Sequence, residues 1–301
     1  MTNTTDNGSN LGRGYVIAVV SAAILSTTAI FIRYLTQTYD MPALVLAFWR
    51  DSFVALSLLA ALGLMRSELL RVKRPHLIYL LIYGFVLAIF NSLWTLSVAL
   101  NGAAISTVLV YSSAGFTALL GRWLLKEHLG WAKLVAVLIC LGGCVLVSEA
   151  FDMAVWSVNL ASILTGILSG LAYAIYSLMG RSASQRGMNA WTTVLYTFGF
   201  AAAFLLCFNL LPGTWANVPG AATSPEELLW LGNAWVGWAI LVLLAVGPTV
   251  AGFGLYNISL GYLPSSVANL ILTLEPAFTA VIAYLLLGER LNEVQLGGSL
   301  M

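Results

Sequence analysis

A carboxylate and a proline stand side by side in the apolar stretch LTLEPAFTAVIAYLLLGER, which runs from Leu272 to Arg290. Pro276 has no N–H for the carbonyl of Leu272, so a helix through this stretch must kink and leave that carbonyl free. A carboxyl beside a free carbonyl could bind a substrate ammonium group or carry a proton. An equally open interpretation makes Glu275 a protonated acid that hydrogen-bonds to another helix.

Arg50 and Asp51 are two further ionisable residues inside an apolar stretch. A charge at the centre of a membrane helix costs about 2.5–3.5 kcal/mol on insertion scales, so such residues usually face a partner or a cavity. Adjacent helical residues point about 100° apart, so we expect Arg50 to pair with a carboxyl from another helix and Asp51 to face a different polar neighbour. A structural ion pair is favoured over a clamp for a substrate carboxylate, because a buried arginine is costly without a partner.

The elements that must position these residues are membrane helices. The chain has 301 residues, 60% hydrophobic and 8% charged, against roughly 45–50% and about 25% in soluble domains. Runs of the length that crosses a bilayer follow one another. They predict an all-α polytopic membrane protein with ten transmembrane helices, nine of them at 13–34, 42–65, 77–100, 103–125, 130–148, 157–180, 190–211, 235–258 and 264–287. The tenth begins near Leu291 and is incomplete before Met301.

The basic residues predict the orientation of these helices, since cytoplasmic loops carry an excess of lysine and arginine. With the N-terminus in the cytoplasm, only Arg33 and Arg290 fall in outer loops. The polar residues 1–12 are predicted to be a disordered cytoplasmic tail. The basic residues of the inner ends are Arg13, Arg66, Arg71, Lys73, Arg74, Arg122, Lys126, Lys133, Arg181 and Arg186.

An internal repeat divides the rest of the chain. A shift of 162 residues aligns the stretch from Leu93, LWTLSVALNGAAISTVLVYSSAGFTALLGRWLLKEHL, with the stretch from Leu255, LYNISLGYLPSSVANLILTLEPAFTAVIAYLLLGERL. This predicts a first five-helix repeat at 13–148 and a second at 149–301. Because five is odd, the second half must be inverted, as in secondary transporters that use alternating access. Duplication for packing alone is the other interpretation.

Polar and aromatic residues of the repeated helices predict one substrate pocket near the midplane. Aromatic walls with hydrogen-bonding amides suit a small amphipathic solute, although any single aromatic is more often a packing residue. The predicted substrate-binding residues are Asn91, Trp94, Thr95, Tyr111, Ser112, Tyr256, Asn257, Asn269, Thr273 and Glu275. Tyr173 and Tyr176 are weaker candidates.

Other classes of function lack their usual residues. The sequence has no HExxH, GxSxG, P-loop or dinucleotide motif and no cysteine–histidine cluster with metal spacing. We therefore expect no enzyme activity, no cofactor, no metal and no nucleic-acid partner. Membrane lipid and a small-molecule substrate are the expected partners, while the oligomeric state is left open by the sequence.

The segment from Glu275 to Glu289 and its counterpart SSAGFTALLGRWLLKEHL in the first half resemble the EamA-type proteins of the drug/metabolite transporter superfamily. The first half departs from the second in having Ser113-Ala114 where the second has Glu275-Pro276. The resemblance implies two inverted five-helix repeats and export of small metabolites across a bacterial inner membrane. More narrowly, it implies amino acids as substrates, aromatic ones included. A multidrug exporter of lipophilic cations and a non-transporting sensor or structural partner are the alternatives.

Overall fold

The computed structural model describes residues 4–147, 153–210, 220–222 and 224–300, which contain helices and no strand. The helices of the first part are α1 (Thr4–Leu25), α2 (Thr28–Thr38), α3 (Ala43–Met65), α4 (Arg74–Asn101), α5 (Ala103–Val110), α6 (Ser113–Leu124) and α7 (Trp131–Val147). Those of the second part are α8 (Met153–Gln185), α9 (Ala190–Leu210), α10 (Trp235–Leu244), α11 (Val250–Tyr262), α12 (Ser265–Leu272), α13 (Glu275–Leu287) and α14 (Glu293–Leu300). Short 3₁₀ helices cover Ser67–Leu70 and Pro225–Leu229.

Eight stretches of the described residues are long and apolar enough to cross a membrane. The predicted fifth span holds a shorter apolar helix at Trp131–Gly143, and α14 covers only part of the predicted tenth. The all-helical membrane class is therefore confirmed, and the count of ten stays a prediction. The eight stretches are Leu11–Thr38, Ala43–Met65, Arg74–Asn101, Ala103–Leu124, Leu160–Gln185, Ala190–Leu210, Trp235–Tyr262 and Ser265–Leu287.

The N-terminal segment differs from its prediction. Helix α1 begins at Thr4, so residues 4–12, which the sequence assigned to a disordered tail, continue the first span as helix. Extending a helix that is already nucleated costs far less than starting one, which explains a helix through polar residues. Residues 1–3 lie outside the described part of the chain.

Four of the eight apolar stretches are interrupted along their length. The breaks lie between α1 and α2, between α5 and α6, at a π-helix over Ala245–Thr249 that contains Pro248, and between α12 and α13. The predicted kink at Pro276 takes a different form: α12 ends at Leu272, and Pro276 lies in the first turn of α13. Proline is well suited to that position because its missing N–H would have no helical partner there.

The breaks in the two halves follow the spacing of the sequence repeat. Helix α5 spans Ala103–Val110 and α12 spans Ser265–Leu272, and α6 and α13 begin at Ser113 and Glu275. Each of these boundaries differs by 162 residues from its counterpart. The first half breaks without a proline, so interactions between helices, and not Pro276 alone, set the position of the break.

Small residues let α8 pack closely against the break between α5 and α6. A Cβ atom built on Gly166 would lie 2.7 Å from the Cβ atom of Leu109, and one on Gly170 would lie 2.9 Å from the carbonyl oxygen of Val110. Such close backbone contact drives helix packing where lipid removes the hydrophobic effect between helices. The break between α5 and α6 is therefore held in place by the glycine face of α8.

Replacing Gly170 with alanine is expected to destabilise the protein by about 1–3 kcal/mol, since the new methyl group meets backbone that cannot move alone. Thermal unfolding of the purified protein in detergent measures this as a lower midpoint. Gly199→Ala is the matched control, because a Cβ atom there meets only the Ala55 methyl at 3.8 Å. A Gly170→Ala variant as stable as the Gly199→Ala variant would contradict the assigned packing.

Candidate functional site

A small cavity lies where three of the helix breaks meet. Its volume is about 30 Å³, which is room for about two water molecules. An amino acid cannot fit in it without a rearrangement of the surrounding helices. The cavity is lined by Leu25, Thr28, Phe90, Trp94, Val110, Tyr111, Tyr173, Phe253 and Glu275.

Glu275 is the one acidic group among the residues that line the cavity. It begins α13, and its side chain is buried and accepts a hydrogen bond from the Tyr111 hydroxyl. The N-terminus of a helix carries a partial positive charge, which favours a carboxylate at this position. The break before α13 therefore places the buried Glu275 carboxyl at a helix N-terminus, where its negative charge is stabilised.

The lining also holds the hydroxyl of Thr28, beside the polar groups of its tyrosine and tryptophan residues. The Thr28 hydroxyl is buried and has no hydrogen-bond partner within the protein. A buried hydroxyl without a partner costs free energy that a ligand or a water molecule can recover. Together with Glu275, it gives the cavity an acidic group and a free hydroxyl, and no lining residue is positively charged.

Aromatic rings form the rest of the wall. Phe90 stacks with Tyr173 at 5.0 Å between ring centroids and with Trp94 at 6.5 Å. Phe253 lies 6.4 Å from Phe90. Aromatic faces contribute apolar contact and attract cations. The cavity thus suits the cationic end of a solute that also has an apolar part.

The structure brings together three of the ten predicted binding residues: Trp94, Tyr111 and Glu275 line the cavity. Thr273 lies at the break before α13, where its hydroxyl donates to the carbonyl of Leu270. The Ser112 hydroxyl is buried at the α5–α6 break without a hydrogen-bond partner. The remaining five, Asn91, Thr95, Tyr256, Asn257 and Asn269, are buried outside the lining.

A polar network beside the cavity holds Asn269 and Tyr256. The Asn269 amide donates to the Thr117 hydroxyl at 2.5 Å, and its oxygen accepts from the Tyr256 hydroxyl at 2.8 Å. The Tyr256 hydroxyl also lies 2.6 Å from Ser177 Oγ. Asn269 thereby joins α12 to α6 and α11, so these two predicted residues connect helices around the cavity.

Asn257 and Thr95 lie away from the cavity lining. The Asn257 amide donates to the Tyr176 hydroxyl at 2.8 Å and lines a separate cleft of about 270 Å³ near Met188. Thr95 has a buried hydroxyl without a hydrogen-bond partner. The repeat-related pairs Trp94 with Tyr256 and Thr95 with Asn257 therefore do not converge symmetrically on one cavity.

Arg50 and Asp51 contact each other, in contrast to the expected partner on another helix. Arg50 Nε lies 3.2 Å from Asp51 Oδ1, and both side chains are buried. The Asn91 amide of α4 donates to Asp51 Oδ2 at 2.5 Å, which is a polar neighbour of the expected kind. The angle between adjacent Cβ atoms did not exclude the pair because an arginine side chain is long enough to fold back along its helix.

Sequence reasoning missed Thr28, Phe90 and Phe253 as lining residues. Thr28 follows Ser26 and Thr27, and this polar run in an apolar span was the available indication of a break. Phe90 and Phe253 carry no such indication, because a phenylalanine in a membrane helix most often contacts lipid or packs in the core. Tyr173, a weaker candidate in the sequence, does line the cavity.

Comparison with known proteins identifies the family to which this chain belongs. The model of the EamA-like transporter family matches residues 12–149 and 160–301. An uncharacterized transporter of Archaeoglobus fulgidus is 26% identical over 96% of this chain and 93% of its own length. The threonine/homoserine exporter RhtA of Escherichia coli is 26% identical over 81% of this chain and 74% of its own.

Two further comparisons agree with these. The uncharacterized transporter YdfC of Bacillus subtilis is 27% identical over 78% of this chain and 71% of its own. A solved crystal structure aligns with a TM-score of 0.66 over 96% of both chains at 16% identity. At that identity the likeness shows the fold alone.

Proposed function

Because this chain belongs to the EamA-like transporter family, a family of multi-pass membrane transporters and not of enzymes, we propose that it is a secondary transporter of amino acids. In this proposal it exports neutral and aromatic amino acids, or similar small metabolites, by alternating access. It lies in a bacterial inner membrane, as the family resemblance implies. Its N-terminus is in the cytoplasm, as the distribution of basic residues predicts.

The observation that carries the proposal is the buried Glu275 carboxyl in a cavity with aromatic walls. A substrate ammonium group would donate to the Glu275 carboxylate and to the Thr28 hydroxyl, which has no partner within the protein. The substrate side chain would pack against Phe90, Trp94 and Tyr173. Threonine and homoserine exporters among the relatives support amino acids as the substrate class.

Two observations support a pair of inverted five-helix repeats, at 13–148 and 149–301. The family model matches two stretches of similar length, and the broken spans of the two halves keep the 162-residue spacing. An odd number of helices in each half would invert the second relative to the first. Two inverted halves offer a natural route to two opposed conformations of similar energy.

A lipophilic cation is the second candidate substrate. The lining has one acidic residue and no basic one, so nothing in it would neutralise the carboxylate of an amino acid. An aromatic cavity with an acidic group is also the arrangement that binds organic cations. A multidrug exporter therefore remains the alternative, and a non-transporting sensor would move neither class of solute.

Flux of labelled threonine, phenylalanine and methionine into liposomes that contain the purified protein tests the proposal. Saturable uptake that unlabelled amino acids inhibit and tetraphenylphosphonium does not inhibit is the expected result. Inhibition by tetraphenylphosphonium alone would favour the multidrug exporter. Flux of neither class above that of empty liposomes would overturn the transport proposal.

A further inference from the structure

Glu289, which follows α13, contacts the start of α5 in the other half of the chain. Its carboxylate accepts from the backbone N–H of Ala103, at 3.1 Å to both oxygens, and from that of Ala104 at 3.3 Å. Arg33 Nε lies 3.2 Å from the same carboxylate. The first N–H groups of a helix have no partner within the helix, so this carboxylate satisfies them and also interacts favourably with the helix dipole.

Glu127, which follows α6, makes the corresponding contact with the start of α12. Its two oxygens accept from the backbone N–H groups of Ser265 and Ser266, at 2.8 and 3.2 Å, and from both serine hydroxyls at 2.6 Å. Burial alone would raise the pKa of Glu127, but these hydrogen bonds outweigh it and lower its pKa below the usual value. The group is therefore an ionised acceptor at neutral pH.

The two caps are related by the repeat. Glu127 and Glu289 differ by 162 residues, as do Ala103 and Ser265 and also Ala104 and Ser266. Each glutamate at the end of one broken span thus caps the start of the broken span in the other half. The arrangement is reciprocal, which packing within a single half does not require.

The two caps lie at opposite ends of the helices. The Glu127 cap is next to Tyr262, which contacts the beginning of the first span: Arg13 lies over its ring, and a Cβ atom on Gly14 would lie 2.7 Å from its Cβ atom. The Glu289 cap is next to Arg33, which lies near the other end of the first span. Arg33 donates a hydrogen bond to the carbonyl of Ala99 at 2.6 Å. One cap therefore closes the face that carries the N-terminus, and the other closes the opposite face.

A second pair of contacts repeats this pattern. Arg33 binds the carbonyl of Ala99 near the end of α4, and Arg181 binds the carbonyl of Leu260 at 2.7 Å near the end of α11. At each of the two junctions, α4 to α5 and α11 to α12, an arginine therefore binds a carbonyl near the end of the first helix. A glutamate binds the N–H groups at the start of the second helix.

We propose that Glu127 and Glu289 are the two latches of the transport cycle, one at each face of the membrane. This inference rests on the proposed alternating access. Separation of α6 from α12 would open a path from the N-terminal face, and separation of α13 from α5 would open one from the opposite face. With both latches formed, as in this structure, the cavity keeps only about 30 Å³.

Gly102 fits the latch at the opposite face. Its φ of +85° lies in the region that favours glycine, and a Cβ atom there would lie 2.9 Å from Glu289 Oε1. A side chain at this position would strain the turn and push the carboxylate off the start of α5. The absence of a side chain is therefore what lets Glu289 reach Ala103.

Face-specific labelling of the cavity tests the latches without any need for substrate. The reporter is Val110→Cys, which places a thiol in the lining, in a chain whose native cysteines are replaced by serine. A membrane-impermeant maleimide is added to one face of oriented vesicles, and protease cleavage of an N-terminal tag identifies the face. We expect Glu127→Ala to raise labelling from the N-terminal face about tenfold, and Glu289→Ala to raise labelling from the opposite face about tenfold. Loss of a helix cap should increase the population of the conformation that is open to that face.

The matched controls are Glu68→Ala and Glu293→Ala, which remove exposed carboxylates from the N-terminal and the opposite face, respectively. Neither should change labelling. Equal labelling from both faces in either latch variant, or no change in a variant that remains folded, would overturn the proposal. Face-specific labelling in a protein that moves no amino acid would support the latches and count against the substrate alone.

Discussion

Glu275→Gln is expected to reduce the saturable flux of threonine by about 10- to 100-fold. A hydrogen bond to a charged group contributes about 1.5–3 kcal/mol, and each 1.4 kcal/mol corresponds to a factor of ten. Glutamine keeps the size of the side chain and its ability to accept from Tyr111, so the loss would come from the missing charge. Initial rates in liposomes, measured over a range of threonine concentrations, give the effect on KM and on the maximal rate separately.

The matched control is Glu293→Gln. Both glutamates are the first residue of a helix, Glu275 of α13 and Glu293 of α14, but Glu275 is buried and Glu293 is exposed. Its flux should equal that of the unaltered protein. A change confined to the maximal rate, with KM unchanged, would count against direct binding of an ammonium group by Glu275.

A pH gradient separates binding of the substrate from coupling to protons. If Glu275 carries a proton, a gradient will accelerate flux in the unaltered protein and will not do so in Glu275→Gln. If the protein only equilibrates substrate, both will be insensitive to the gradient. Full flux in Glu275→Gln without any response to pH would leave Glu275 a structural residue.

The sequence predicted the membrane helices well because their determinant is local. A run of about 20 apolar residues is sufficient to identify a span, and the first to ninth predicted spans each overlap described helix. The helix breaks were harder to predict. Glu275-Pro276 indicated one of them, but the break between α5 and α6 has no proline, and its position depends on Gly166 and Gly170 in α8.

The candidate site was predicted in part, because its contacts join residues far apart in the chain. Glu275 was identified by its own rarity in an apolar run, whereas its partner Tyr111 is 164 residues away. Symmetry suggested that Trp94 and Tyr256 would share a cavity, but Tyr256 binds Asn269 instead. The repeat relates backbone positions, and different side chains in the two halves give the related positions different neighbours.

The largest effect on stability is expected from Asp51→Leu. Asp51 is fully buried and is the carboxylate paired with Arg50, whose Nη2 atom has no hydrogen-bond partner. Removing the carboxylate leaves a buried guanidinium without its anion, and breaking a buried ion pair in this way costs about 3–5 kcal/mol. Chemical unfolding in detergent, followed by tryptophan fluorescence, measures the loss.

The two partners should not be equivalent. Arg50→Met leaves Asp51 hydrogen-bonded to Asn91, and a carboxyl can take up a proton, whereas a guanidinium cannot lose one. We therefore expect Arg50→Met to cost less than Asp51→Leu, and the double variant Arg50→Met/Asp51→Leu to recover most of the stability, since replacement of a whole buried pair by apolar residues is often neutral. Equal losses in both single variants, without recovery in the double variant, would contradict this account of Arg50 and Asp51 as a buried pair whose members compensate each other.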